Sequence, residues 1–167
     1  MADRELILLR HGLAEPHGVR DDPLRALTPE GRERTLRVCQ RAGAIGLRGG
    51  RLISSPLVRA RQTGEIAVAA NLAPTLTCSE ALAPGADPWP LIQEWLAGKE
   101  GAASASGLIL VGHEPDLGLL ACRLIGAPPG AVVLKKAGIA LLSWAGSNPA
   151  GPARLRLLLS PRSLDAL

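Results

Sequence analysis

A chain of 167 residues, 47% of them hydrophobic, is long enough to close one sizeable core and too short for two domains. It has no Phe or Tyr and only three Trp, so Leu, Ile, Val and Ala must pack the core, and the stacking platform used by single-stranded nucleic-acid readers is missing. The net charge of +4 is carried by scattered Arg with Asp and Glu between them, which speaks against a nucleic-acid partner and leaves a mild preference for anions.

The N-terminal "MADRELILLR" sets charges on both sides of a short apolar run. It reads as neither a signal peptide nor a membrane span, and a cytoplasmic protein is expected. "ELILL" (5–9) reads as a buried central strand that runs directly into Arg10, His11 and Gly12. After a loop over 11–27, the punctuation predicts a helix. Thr28 is its N-cap, Pro29 takes the first helical position, and Glu30 sits at the positive end of the dipole. Leu36, Cys39, Ala42 and Gly43 recur on what should be its inner face. "RLISS" (51–55) is a second strand, and a helix carrying Arg59 and Arg61 is expected from Pro56 to about Asn71.

A short strand over 73–79, a Pro/Gly loop over 80–88 and a helix over 89–98 come next, then a surface loop of Gly, Ala and Ser to 106. "GLILVG" (107–112) is another buried strand, ending in His113 and Glu114, with Asp116 expected to cap a helix from near Leu117. Two late strands, within 137–146 and 153–160, should pair at one side of the sheet. Strands alternating with helices imply an α/β fold, a three-layer α/β/α sandwich with a mostly parallel central sheet, in a single domain over 1–167.

Cys39, Cys78 and Cys122 are widely separated, so reduced and mostly buried thiols are expected rather than zinc ligands or disulfides. Asp21, Asp22, Glu114 and Asp116 lack the spacing of a hard-cation cluster, and no metal or organic cofactor is expected. His17 reads as a solvated loop residue, Arg61 as surface, and Lys135 with Lys136 as a solvated pair. Ser55 suits a tight strand-to-helix turn by its size, with a hydroxyl able to donate to an anion.

In open α/β sheets ligands bind beyond the carboxyl ends of the strands. That rule gathers Arg10-His11, Ser54-Ser55-Pro56 with Arg59 one turn later, and Gly112-His113-Glu114. Two histidines and two arginines would share one crevice. A phosphoryl group in transfer spreads charge over three oxygens, so catalysis is largely positioning and electrostatic stabilisation. Arginine offers a planar fork for those oxygens, and a neutral imidazole offers an in-line nucleophile. Arg10 and Arg59 should hold His11 neutral, His113 can bond the same oxygens, and Gly12 should let backbone amides approach the phosphate.

"LLRHGLAE", "LTPEG", "SSPLVRARQTGEI", "LILVGHEPDL" and "LKKAGIALL" occur in that order and cover nearly the whole chain. In this ordered set the sequence resembles the histidine phosphatase superfamily and, within it, the short SixA-like phosphohistidine phosphatases. The resemblance implies a phosphoglycerate-mutase-like fold without a large inserted subdomain. It implies His11 as the nucleophile that becomes phosphorylated, with Arg10, Gly12, Arg59 and His113 completing the phosphate pocket. Leu13 departs from the pattern, since many relatives carry a polar residue there, and this puts contacts at the mouth of the pocket in question.

Larger relatives carry an inserted segment with a Glu or Asp general acid, which phosphate esters need because an alkoxide leaves poorly. Here Glu80, in "SEALAPG", is the one candidate for that acid, and it reads equally as a structural residue at a strand end. Phosphohistidine releases an imidazole whose conjugate acid has a pKa of roughly 6.5, so it needs no strong acid. The expected activity is therefore removal of phosphate from the phosphohistidine of a phosphotransfer protein. The alternatives are a small-molecule phosphate monoesterase acting on sugar, nucleotide or terpenoid phosphates, and a non-catalytic phosphate-binding interaction module. A phosphoglycerate mutase is disfavoured for want of the additional segments. Expected partners are a phosphorylated histidine-containing protein or a small phosphorylated molecule, with no nucleic acid and no membrane, and a monomer suffices.

Overall fold

The structure is a computed structural model that describes residues 3–98, 107–146 and 151–167; the loop expected up to 106 therefore lies, beyond Gly98, outside the described residues. The apolar run Leu6–Leu9 forms the centre of strand β1 (Arg4–Arg10). Its side chains alternate between two cores, Leu6 and Leu8 on one face and Ile7 and Leu9 on the other, which is why the strand lacks a polar face. β1 pairs in parallel with β4 (Leu108–Gly112) and antiparallel with β5 (Ile139–Trp144). β4 pairs in parallel with β2 (Arg51–Ser54), and β2 with β3 (Leu76–Cys78). β6 (Arg154–Leu159) closes the far edge antiparallel to β5, giving the order β3-β2-β4-β1-β5-β6.

Helices α1 (Pro29–Ala44), α2 (Val58–Ala69) and α5 (Pro161–Asp165) cover the face of Ile7 and Leu9 through residues such as Val38, Ala60 and Leu164. Helices α3 (Trp89–Leu96) and α4 (Asp116–Ile125) cover the other face through Ile92, Trp95 and Leu120. This is the expected three-layer sandwich, and the two late strands pair at one side as anticipated.

Several local expectations need correction. Thr28 does cap α1, its hydroxyl accepting from the Gly31 amide at 2.9 Å. The inner face of α1, however, is Gly31, Thr35, Val38, Cys39 and Ala42, while Leu36 points to solvent. Small residues win the inner face because the chain around 12–13 runs against it: a Cβ on Gly31 would stand 2.0 Å from the Leu13 carbonyl oxygen. α2 starts at Val58, not Pro56, because the Leu57 amide turns back to Ser55 Oγ at 3.3 Å. The carboxylate serving the first turn of α4 is that of Glu114, which accepts from the Gly118 amide at 2.7 Å. Asp116 instead accepts from the Gly85 amide at 2.8 Å and ties down the loop after β3. Cys39 and Cys122 are buried, but Cys78 is exposed.

Register brings the strand ends level. Arg10 stands beside Gly112, and Ser54 beside Val111. Backbone bonds then extend the sheet by one step: the His11 amide donates to Gly112 O at 3.1 Å, and the Ser55 amide to Val111 O at 2.9 Å. From the opposite side, the Ala137 amide donates to His11 O at 3.1 Å. The residues just past β1 and β2 are thus held by the ladder.

Candidate active site

Beyond these strand ends lies a cleft of about 260 Å³ lined by Arg10, His11, Arg25, Arg59 and His113, with Asp22 and Glu114 at its wall. The two imidazole rings are 5.1 Å apart between centroids. The pair of histidines and the pair of arginines picked out in sequence do share one space, although they come from three separated segments.

His11 is 8% exposed, and its Nδ1 lies 2.8 Å from the Gly12 carbonyl oxygen. A carbonyl only accepts, so Nδ1 carries the proton and Nε2 keeps its lone pair. Burial pushes the His11 pKa down to about 3, opposed by the Gly12 carbonyl, and His113, Arg59 and Arg10 add smaller downward pushes. The neutral ring expected from the flanking arginines is therefore held neutral chiefly by desolvation.

His113, 4% exposed, places Nε2 2.8 Å from Ser55 Oγ. That oxygen also accepts from the Leu57 amide, and His113 Nδ1 is buried without a partner. Burial and then Arg59 lower the His113 pKa to about 4. Ser55 thus holds a histidine by a hydrogen bond, a partner its size alone did not suggest.

Arg59, on the first turn of α2, donates from Nη1 to the Asp22 backbone oxygen at 2.8 Å and from Nη2 to Asp22 Oδ2 at 3.2 Å. Arg25, buried to 7% exposure and not singled out from sequence, donates from Nε to Asp22 Oδ1 at 2.9 Å and from Nη1 to Glu15 O at 2.6 Å. Asp22, set aside as a metal ligand, bridges two guanidiniums across the cleft wall, and their pull, that of Arg25 foremost, holds its carboxyl below the usual range. Arg10 is fixed by Nη1 donating to Leu134 O at 2.9 Å, with its Nε buried and unpartnered.

Gly12 is required for a different reason from the one expected. Its amide donates to Thr63 Oγ1 at 3.1 Å, and a Cβ there would stand 2.2 Å from Thr35 Oγ1 on α1. Thr63 in turn donates to Arg59 O at 2.8 Å, so one hydroxyl couples the His11 segment to the Arg59 turn. Leu13 is absent from the cleft wall, where Ala14 stands instead, and its carbonyl anchors the entry of α1 by accepting from the Thr28 amide at 3.0 Å.

Glu80 is not brought to the cleft. It opens a short 3-10 turn capped by Ser79, and the residue of that loop lining the cleft is Pro84. His17 stands exposed at the rim, its Nδ1 3.6 Å from Asp22 Oδ1. Lys136 reaches the cleft wall, while Arg61 is a surface residue paired with Glu65 at 2.9 Å. Burial raises the Glu114 carboxyl, against the lowering effect of hydrogen bonds from the Gly118 and Leu134 amides. Among the described residues no three His, Cys, Asp or Glu are grouped to hold a metal ion, and no helix is long and apolar enough to cross a membrane. Chemically, the arrangement can surround a tetrahedral oxyanion with guanidinium and imidazole donors while presenting one unprotonated imidazole nitrogen.

The profile of the histidine phosphatase superfamily (branch 1) matches residues 6–83. An uncharacterized protein of Picosynechococcus sp. is 42% identical over 137 residues, spanning 81% of this chain and 82% of its own length. The solved structure of the protein histidine phosphatase SixA complexed with tungstate superposes with a TM-score of 0.82 at 23% identity, covering 96% of this chain and 99% of that one. A mycobacterial glucosyl-3-phosphoglycerate phosphatase superposes with a TM-score of 0.73 at 19% identity, over 95% and 100% of the two chains. At such identities the likeness to solved structures speaks to the fold, and these two proteins are named for different substrates.

Proposed function

The chain belongs to the histidine phosphatase superfamily, and from that premise we propose that it is a phosphatase working through a phosphorylated His11, with the phosphohistidine of a phosphotransfer protein as its substrate. The observation that carries the choice of substrate is the commitment of every carboxyl near the cleft. Asp22 is ion-paired to Arg25 and Arg59 with its pKa lowered, Glu114 accepts from the first turn of α4, and Glu80 is outside. A site with a nucleophile and a strong anion clamp but no free acid suits a leaving group that needs little protonation.

In the first displacement His11 Nε2 donates its lone pair to phosphorus as the bond from phosphorus to the substrate imidazole breaks. The leaving imidazole departs neutral with that bond's electron pair, because the other nitrogen of the substrate ring already carries a proton, a state that a conjugate-acid pKa of roughly 6.5 keeps populated near neutral pH. Arg10, Arg25, Arg59 and His113, which line the cleft, stabilise the charge on the three equatorial oxygens. In the second displacement water attacks the phosphorylated His11, phosphate leaves, and the neutral ring is regenerated.

Glu114 supports a second reading. Its raised pKa favours holding a proton that a phosphate ester's leaving oxygen needs, which would make the enzyme a small-molecule monoesterase. A substrate comparison separates the two: turnover of a phosphohistidine protein and free phosphohistidine against sugar, nucleotide and terpenoid phosphates. The proposal requires kcat/KM for phosphohistidine to exceed that for every ester. Faster ester hydrolysis would favour the second reading, and absence of phosphate release from any of them would leave a binding module.

A further inference from the structure

Beside the cleft runs a second, more open groove of about 630 Å³ between α1, the segment before β5 and the start of α5. Arg10 and Lys136 line both, so the groove continues the cleft outward. Arg34, Arg37, Lys135 and Arg162 add further cations to its wall, and Asp165 is its one acid. Arg34 and Arg37 are neutralised along α1 by Glu30 and Glu33, each at 3.2 Å, and Arg37 also lies 3.9 Å from Asp165. Among the described residues the side chains of Lys135, Lys136 and Arg162 have no ion-pair or hydrogen-bond partner. The local excess of positive charge therefore sits on one side of the phosphoryl site, although the chain's charge is scattered overall.

We propose that this groove docks acidic side chains flanking the phosphohistidine of a protein substrate. The inference rests on the protein-substrate reading and deepens it. A second phosphate of a small molecule would call for converging, desolvated donors like those of the cleft. Here the unpaired cations are exposed and spread over the segment before β5 and the start of α5, an arrangement matched by several carboxylates on a protein surface. Exposed charges of this kind act on encounter and orientation more than on tight binding, so their effect belongs in kcat/KM and in salt dependence.

Two peptides of equal length, each with one histidine phosphorylated by phosphoramidate, provide the test: one has Asp and Glu flanks, the other Ser flanks. For the unmodified enzyme at low salt, kcat/KM for the acidic peptide should exceed that for the Ser peptide on the order of tenfold. The gap should shrink as salt approaches roughly 0.5 M, where the Debye length falls to a few ångströms. In the double variant Lys135→Glu/Arg162→Glu the preference should vanish or invert, while turnover of free phosphohistidine stays unchanged and reports an intact site. Equal kcat/KM for the two peptides, or a preference that survives in the double variant, overturns the docking proposal alone. Failure to hydrolyse free phosphohistidine and both peptides overturns the functional reading and the docking proposal with it.

Discussion

The proton placement on His11 is the most consequential detail at the scale of single residues. The Gly12 carbonyl holds a proton on its Nδ1 and leaves Nε2 with a lone pair, while Ser55 hydrogen-bonds the second ring, His113. With these two rings at pKa values of about 3 and about 4, the imidazole signals assigned to His11 and His113 should show no inflection between about pH 5 and 8 when tracked by NMR; an inflection near 6.5 assigned to His11 would contradict a buried neutral ring. Replacing Ser55 by Ala should lower kcat/KM by about tenfold, the scale of one lost hydrogen bond of about 1.4 kcal/mol. Ser55→Thr, which keeps a hydroxyl, should recover part of the loss if the hydrogen bond to His113 is the cause. Arg25 is the buried cleft guanidinium that sequence reasoning passed over, since an arginine in an irregular loop carries no periodicity. Its signal was local: Asp22 and Arg25 stand three apart around Pro23, a spacing that a single turn converts into a contact. Arg25→Ala should cost on the order of 10²-fold in kcat/KM, with Arg25→Lys recovering only a small part because the planar fork is lost.

The approach of α1 to the segment after β1 decides how well the site is held at the scale of elements. Gly12 and Gly31 both stand where a Cβ would collide, the first with Thr35 Oγ1 at 2.2 Å and the second with Leu13 O at 2.0 Å. Gly12→Ala should destabilise the fold by about 1–3 kcal/mol in urea unfolding, the usual cost of overpacking. The Gly12→Ala/Thr35→Ala pair should regain most of that, because Thr35 Oγ1 is both the atom in the way and a buried hydroxyl without a partner. If the pair were no more stable than Gly12→Ala, close packing would not be the reason for this glycine. The start of α1 was legible because Thr28, Pro29 and Glu30 act through local chemistry. On its inner face Cys39 and Ala42 were legible from helical spacing, but hydrophobicity also nominated Leu36, whereas the close approach at Gly31 and Thr35 selects for small side chains that carry little hydrophobic signal.

Sheet topology brings distant segments together at the scale of the whole molecule, and this part was readable in advance. Three parallel strands whose ends fall level must deliver their trailing residues to one edge, so Arg10, His11, Arg59 and His113 could be grouped without coordinates. Glu80 was offered as an acid from its place in the loop after β3, but it lies in a Ser79-capped turn and is not among the residues lining the cleft. Burying neutral imidazoles also shapes the stability of the fold as a whole. Above about pH 6.5 the two rings are neutral in folded and unfolded chains alike. Below it the unfolded chain takes up protons that the folded one refuses until about pH 4 for His113 and about pH 3 for His11, so stability falls as pH falls through that window. Each ring contributes a slope of up to about 1.4 kcal/mol per pH unit. Asp22, held low by Arg25 and Arg59, adds a loss only when pH drops below its ordinary value of 3.8. Urea midpoints taken between about pH 7 and 4.5 should decline, and His11→Asn should make the decline shallower; an unchanged slope would place the neutral ring elsewhere.

The central claim is that phosphate passes through Nε2 of His11, and a quenched-flow experiment with a ³²P-labelled phosphohistidine substrate addresses it most directly. Quenching in alkali, where an N-linked phosphoryl group survives, and mapping the label by mass spectrometry should find it on His11 and see it replaced at the rate of turnover. Label on another residue, or turnover that persists undiminished in His11→Ala, would contradict the account.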